Sequence, residues 1–131
     1  MRSLTFILNG DPTPLARARM GKWSVYDSQK HEKLVHGIQL QNQMDDDKPL
    51  SGPLILDATF YMPTGRNKRR LGTPHYFRPD LDNLLKYIND ISQAIIFHDD
   101  CTIYKIQAIK IYDDNPRTVF TFTEALHVDI E

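Results

Sequence analysis

A chain of 131 residues, 40% hydrophobic and 25% charged, is long enough for one packed core and has the balance of a globular protein. No apolar run approaches the roughly 20 residues that cross a bilayer, and Met1 to Leu8 is too short for a secretory leader before Asn9-Gly10-Asp11-Pro12. One cysteine, Cys101, excludes an intramolecular disulfide and a multi-cysteine zinc site, so the expectation is a single cytoplasmic domain over 1–131 with no membrane partner.

Leu4 to Leu8 predicts a first strand, ended by the Asn9–Pro12 turn. An irregular loop with Pro12, Pro14, Arg17, Arg19 and Gly21 follows, then a short strand at Trp23-Ser24-Val25-Tyr26. Asp27 or Ser28 can cap a helix reaching about Met44, with Leu34, Val35, Ile38 and Leu40 as its apolar positions and Gly37 as its weak point. Asp45 to Gly52 reads as a loop. Pro53 to Met62 alternates as a strand, with Leu54, Leu56, Ala58 and Phe60 on one face. Pro63 to Pro79 is long for an unstructured connection, and such loops are often functional. Leu81 to Ile95 predicts a helix, and Cys101 to Tyr112 and Thr118 to Thr123 predict strands joined by an Asp-Asp-Asn-Pro turn. The order β, (β), α, β, α, β, β predicts an α+β fold, one sheet with two helices against it.

The net charge of −1 conceals segregation. Thr64 to Arg78 carries Arg66, Lys68, Arg69, Arg70 and Arg78 and no acid, and Pro12 to Trp23 carries Arg17, Arg19 and Lys22 and no acid. Either these are solvated loops or they face a polyanion.

The stretch RPDLDNLLKYIND, 78 to 90, holds the sharpest question. On a helical wheel Asp82, Lys86, Asn89 and Gln93 form one polar stripe, opposite Leu81, Leu84, Leu85, Ile88, Ile91 and Ile95. Pro79 places Asp80 just before the helix, where its side chain can lean toward Asp82. One reading is a helix cap: Asp80 contributes ~1 kcal/mol as N-cap, and Asp82 pairs with Lys86 four residues on. The other is a metal. Asp99-Asp100 follows this helix at the start of a strand, and alternation turns one of the two toward the helix entrance. Two like charges 4 Å apart repel by about 4 kcal/mol at an effective dielectric near 20, so three converging carboxylates need a proton or a cation. All-oxygen ligands suit Mg²⁺ or Mn²⁺. A calcium loop is excluded, because Leu84 and Leu85 stand where an oxygen ligand and glycine belong.

With both acidic segments in view, the chain resembles the RusA family of Holliday junction resolvases. The resemblance rests on Asp80-Leu81-Asp82-Asn83-Leu84, Lys86, Asp90 and Asp99-Asp100, and on Gly10-Asp11-Pro12-Thr13-Pro14 followed by Arg17, Arg19 and Val25-Tyr26. It departs at Leu15-Ala16, where relatives often carry Lys-Gly, and at Gln93 to Ile96, where a glycine is common before the acidic pair. The resemblance implies a mixed sheet with two main helices and a Mg²⁺-dependent endodeoxyribonuclease that resolves four-way junctions in recombination and repair. It implies catalytic and metal-binding Asp80, Asp82 and Asp100, Asp100 matching better than Asp99, with Lys86 in support. It also implies a homodimer with one active site per subunit. Arg17, Arg19, Arg66, Lys68, Arg69, Arg70 and Arg78 are the expected DNA contacts. Two alternatives stay open: an accessory protein that holds branched DNA without cutting, and a metal nuclease for other DNA structures. Among single residues, His98 is a loop histidine or a ligand, Cys101 a core or strand residue or a redox group, and Asn83 a cap or brace of the helix entrance or a group with a chemical role. Trp23, Tyr76 and Phe77 either pack or stack on unpaired bases.

Overall fold

The structure, a computed structural model, describes residues 2–16, 19–20 and 25–125. Period-two alternation builds its sheet. In β4 (Leu54–Pro63) the residues Leu54, Leu56, Ala58, Phe60 and Met62 are buried while Asp57 is exposed. Phe120 and Phe122 of β6 (Arg117–Glu124) and Phe6 and Leu8 of β1 (Ser3–Asn9) point to the same core. With β5 (Ile103–Asp113) at the far edge the order is β1-β6-β4-β5; β6 is antiparallel to both neighbours, and β4 and β5 are parallel. Two short strands, β2 (Arg19–Met20) and β3 (Val25–Tyr26), form a separate ribbon. The expected mixed α+β architecture is what the chain adopts. Trp23 and Ser24 lie outside the described residues.

Two helices share the core with one face of the sheet, α1 (Lys30–Met44) and α2 (Leu81–Ser92). The opposite face is solvated and carries hydroxyl pairs between β1 and β6, Ser3 with Thr123 and Thr5 with Thr121, each at 2.8 Å. Among the described residues no helix is long and apolar enough to cross a membrane.

Helix α1 departs from expectation. It starts at Lys30 with Gln29 as N-cap, and Asp27 supports the turn before it by accepting from Gln29 N at 2.8 Å. Leu40 and Met44 are buried, but Leu34 and Ile38 are 63% and 54% exposed and Val35 is exposed too. Only the C-terminal part of α1 reaches the sheet. There the Gln43 amide donates to Ile7 O and accepts from Ile7 N, both at 2.8 Å, closing the β1 edge. The N-terminal part leans on α2 through Lys33 to Asp90 (2.9 Å) and His36 to Tyr87 (2.6 Å). Between them lies a groove of about 510 Å³ lined by Leu34, Gly37, Ile38, Ile91 and Ile95.

Helix α2 buries Leu84, Ile88 and Ile91 and leaves Asp82 and Lys86 in solvent, as the wheel predicts, and it also buries Tyr87, which lies outside the predicted apolar arc. It ends at Ser92 rather than Ile95. Ser92 O accepts from both Ile95 N (3.1 Å) and Ile96 N (2.8 Å), and Ala94 turns through φ 70° so that Ile96 and Phe97 drop into the core. The segment Pro63 to Pro79 is ordered. After a 3-10 turn at Lys68–Arg70 it joins the outer edge of β5, through Gly72 N to Tyr112 O (2.9 Å), Tyr112 N to Thr73 O (3.0 Å) and His75 N to Lys110 O (3.0 Å).

Left-handed backbone costs an alanine roughly 1–2 kcal/mol that glycine avoids, partly offset by glycine's greater freedom when unfolded. Ala94→Gly is therefore expected to raise stability by about 0.5–1 kcal/mol, read from urea unfolding.

Candidate active site and nucleic-acid interface

Asp80 occupies the N-cap of α2 with extended backbone (φ −69°, ψ 144°), yet its side chain makes no capping hydrogen bond. The carboxylate is exposed and uncommitted to the helix. Asp82, one turn behind Lys86, pairs with it at 3.0 Å on the surface. So the capping role is not realised, whereas the i,i+4 pair is, and such an exposed pair contributes only a few tenths of a kcal/mol, ~0.3–0.5.

The approach to Asp80 is built from three elements. A cleft of about 380 Å³ is lined by Pro14, Leu15, Arg78, Pro79, Asp80 and Asn83. Leu15 N donates to Asn83 O at 3.0 Å, and Gln29 holds the same loop by donating to Pro14 O and accepting from Ala16 N, each at 2.8 Å. These bonds seat the Gly10–Pro14 loop on the first turn of α2, where Asn83 takes part through its backbone oxygen. The third element is Lys110 of β5, whose Nζ donates to Phe77 O at 2.6 Å and Pro79 O at 2.7 Å. Lys110 clamps the backbone that leads into Asp80, and the sequence reading missed it. A signal was present: alternation along β5 sets Lys110 on the same face as Ala108 and Tyr112, opposite Phe60, where an ammonium group needs acceptors.

The second acidic segment sits elsewhere. The Asp99 carboxylate caps the 3-10 turn Asp100–Thr102 by accepting from Cys101 N at 3.0 Å, and this bond holds its carboxyl below the usual carboxylate range. Asp99 is thus committed to the turn, leaving Asp100 as the better candidate ligand. Asp100 N donates to Gln93 Oε1 at 3.4 Å, so Asp100 lies at the C-terminal end of α2. Asp80 lies at the N-terminal end, and the twelve residues of α2 span about 18 Å. β5 gives the same answer: from Ile103, beside Asp100, to Lys110, beside Pro79, the strand runs about 23 Å. The expected convergence of Asp80, Asp82 and Asp100 within one chain is therefore corrected, and among the described residues no three His, Cys, Asp or Glu side chains are grouped to hold a metal ion. Asp80 and Asp82 suit a hard divalent cation in donor type, as one carboxylate at the N-cap and one in the first turn of α2, but one copy does not supply the third. His98 is exposed on the loop before Asp99, and Cys101 is exposed in the 3-10 turn rather than in the core.

The basic residues divide. Lys68 pairs with Asp114 at 3.1 Å and donates to Thr64 Oγ1 at 3.2 Å. Arg70 donates to Tyr112 Oη at 3.2 Å and lies over the Phe77 and Tyr112 rings. Both are engaged within the fold. Arg66, Arg69 and Arg78 are exposed and form no ion pair among the described residues. Arg17 lies outside the described residues, and Arg19 is placed by its backbone in β2. Tyr76 and Phe77 stack on each other at 4.6 Å, with Tyr76 79% exposed, immediately before Arg78.

Lys110→Met removes two charge-assisted bonds at the root of this site. It is expected to lower stability by about 1–3 kcal/mol in urea unfolding, with Asp80→Asn, which holds no bond of this kind, close to neutral.

The family model for endodeoxyribonuclease RusA matches residues 9–122 of the chain. A Bacillus subtilis (strain 168) protein, "Uncharacterized protein YqaN", is 24% identical over 132 residues, covering 89% of this chain and 93% of its own length. A protein of Lactococcus phage r1t, "Crossover junction endodeoxyribonuclease rusA", is 30% identical over 110 residues, covering 79% of this chain and 80% of its own length. The span matched by the family includes both acidic segments, Lys86 and the basic run from Arg66 to Arg78.

Proposed function

The chain belongs to the RusA endodeoxyribonuclease family, and from that membership we propose that it resolves four-way DNA junctions by metal-dependent hydrolysis, acting as a homodimer in recombination and repair. We take each active site to be shared, with Asp80 and Asp82 from one copy and Asp100 from the other. The observation that carries this reading is the placement of the two acidic segments at opposite ends of α2, too far apart to bind one ion in a single chain. Two copies related by a two-fold axis supply each end of one helix with the other end of its partner.

Asp80 and Asp82 would hold Mg²⁺, or Mn²⁺ in its place, with the partner's Asp100 completing the set. When bound, the ion supplies an activated water and shields the phosphoryl oxygens. The remaining work belongs to the chain. Lys86, fixed beside Asp82, presents an ammonium group to the scissile phosphate or steadies the carboxylates around it. Arg66, Arg69 and Arg78, joined by Arg17 and Arg19 further along the sequence from the Gly10–Pro14 loop, hold flanking phosphates, contacts that position DNA without reading its sequence. The exposed Tyr76–Phe77 stack offers a platform for bases unpaired at a junction centre. A protein that only held junctions would gain nothing from uncommitted carboxylates facing phosphates, which favours cutting over an accessory role.

The test mixes two inactive variants. Asp82→Asn and Asp100→Asn are each expected to bind a labelled synthetic four-way junction without cutting it, in Mg²⁺. Combined, half the dimers are mixed and each mixed dimer keeps one intact site, so nicking should return to about a quarter of wild type, on one strand at a time. No recovery after verified subunit exchange would mean the site is not shared. Wild-type protein that binds junctions but leaves them whole in every divalent metal would establish the accessory role, and equal cutting of linear duplex would establish a nuclease of another specificity.

Arg69→Ala is expected to weaken junction binding and reduce the slope of log affinity against log salt by about one. Lys68→Ala, already paired with Asp114, should change the slope less.

A further inference from the structure

The two edges of the sheet are treated differently. Gln43 occupies the backbone of Ile7 on β1, so that edge is closed by a side chain. On β5 the outward C=O of Lys110 accepts from His75, and both outward groups of Tyr112 are taken by Thr73 and Gly72. By the same alternation Ile106 and Ala108 also turn their N–H and C=O groups outward, and among the described residues nothing bonds them. An unpaired run of this kind is a template for another strand. The side chains beside it are apolar and exposed: Tyr104 by 63%, Ile106 by 48% and Ile109 by 50%.

This edge also runs between the two acidic segments, with Asp100 just before its start and the Lys110 clamp on Pro79 near its end. We infer that β5 is where a second copy of this chain docks, antiparallel and about a two-fold axis at Ile106. The inference rests on the shared-site reading and gives it a surface. In that register Ile106 meets its own counterpart, Lys105 meets the partner's Gln107, and Ile103 meets the partner's Ile109. Tyr104 meets the partner's Ala108, the smallest side chain of the strand. A cleft of about 300 Å³ lined by Pro74, Leu81, Ala108 and Lys110 lies there, with room for an aromatic ring. The acidic Asp99–Asp100 turn of one copy meets the segment of the other that bears Lys110, Arg70 and Arg78, so charges complement across the axis. Pairing in this sense returns each Asp100 toward the Asp80 end of its partner. The groove between α1 and α2 is larger, but it does not connect the two ends of α2 and leaves the acids apart.

Full-length Cys101→Ser carrying Ile106→Cys tests the register, because paired residues of this kind lie about 5.5 Å apart, within disulfide reach. Mild oxidation should convert most of it to a covalent dimer, while the same background with Leu34→Cys, in the α1–α2 groove, should stay uncross-linked. Tyr104→Ala should weaken the wild-type dimer at least about ten-fold in sedimentation equilibrium. Folded Ile106→Cys protein that stays monomeric, or cross-linking through Leu34→Cys instead, would overturn the assignment. Cross-linking at 106 without junction cleavage keeps this surface and removes the nuclease reading. Restored nicking in the mixed variants without cross-linking at 106 keeps the nuclease and removes the surface.

Discussion

Everything about this site follows from a rigid spacer. Helix α2 is pinned along its length by Leu84, Tyr87, Ile88 and Ile91 in the core, so its two ends keep a fixed separation. At one end Lys110 ties the incoming chain to β5, and at the other Ile96 and Phe97 are drawn into the core directly after the last turn. Acidic groups at the two ends are therefore held apart by the same packing that stabilises the fold. Bringing them together inside one chain would require unpacking the helix, at a cost of several buried side chains, each worth about 1.5–3 kcal/mol.

The sheet repeats this division of labour. Gln43 closes one edge, the 72–75 segment closes the far half of the other, and the nearer half of β5 is left bare by the described residues. Natural sheets usually blunt such edges. Here the apolar Tyr104, Ile106 and Ile109 flank the bare stretch, which suits association better than solvent.

Much of the fold was legible because its strongest signals are local. Alternation in β4 and β6 and the wheel of α2 depend only on near neighbours, and those elements fall within a few residues of expectation. Harder to read was what covers an apolar face: Leu34, Val35 and Ile38 have helical spacing, but nothing local says that only the far end of α1 reaches the sheet. The candidate acids were readable as residue types and motif. Their placement was not, since alternation gives the face of a strand residue and not the end of the helix it stands beside. The seven residues from Gln93 to Asp99, fully extended, could reach about 23 Å, enough to return to Asp80. The turn at Ala94 and the burial of Phe97 decide otherwise. Alternation marks Lys110 as a cation on the core-side face of β5, but its partners are carbonyl oxygens, which leave no mark in sequence.

A nuclease whose acids are divided between the ends of one helix carries its own safeguard on the shared-site reading. A lone molecule drifting along a chromosome would grip DNA yet be harmless to it, since half of the chemistry is missing. Damage would be limited by dilution, and the blade would exist only where two molecules have met.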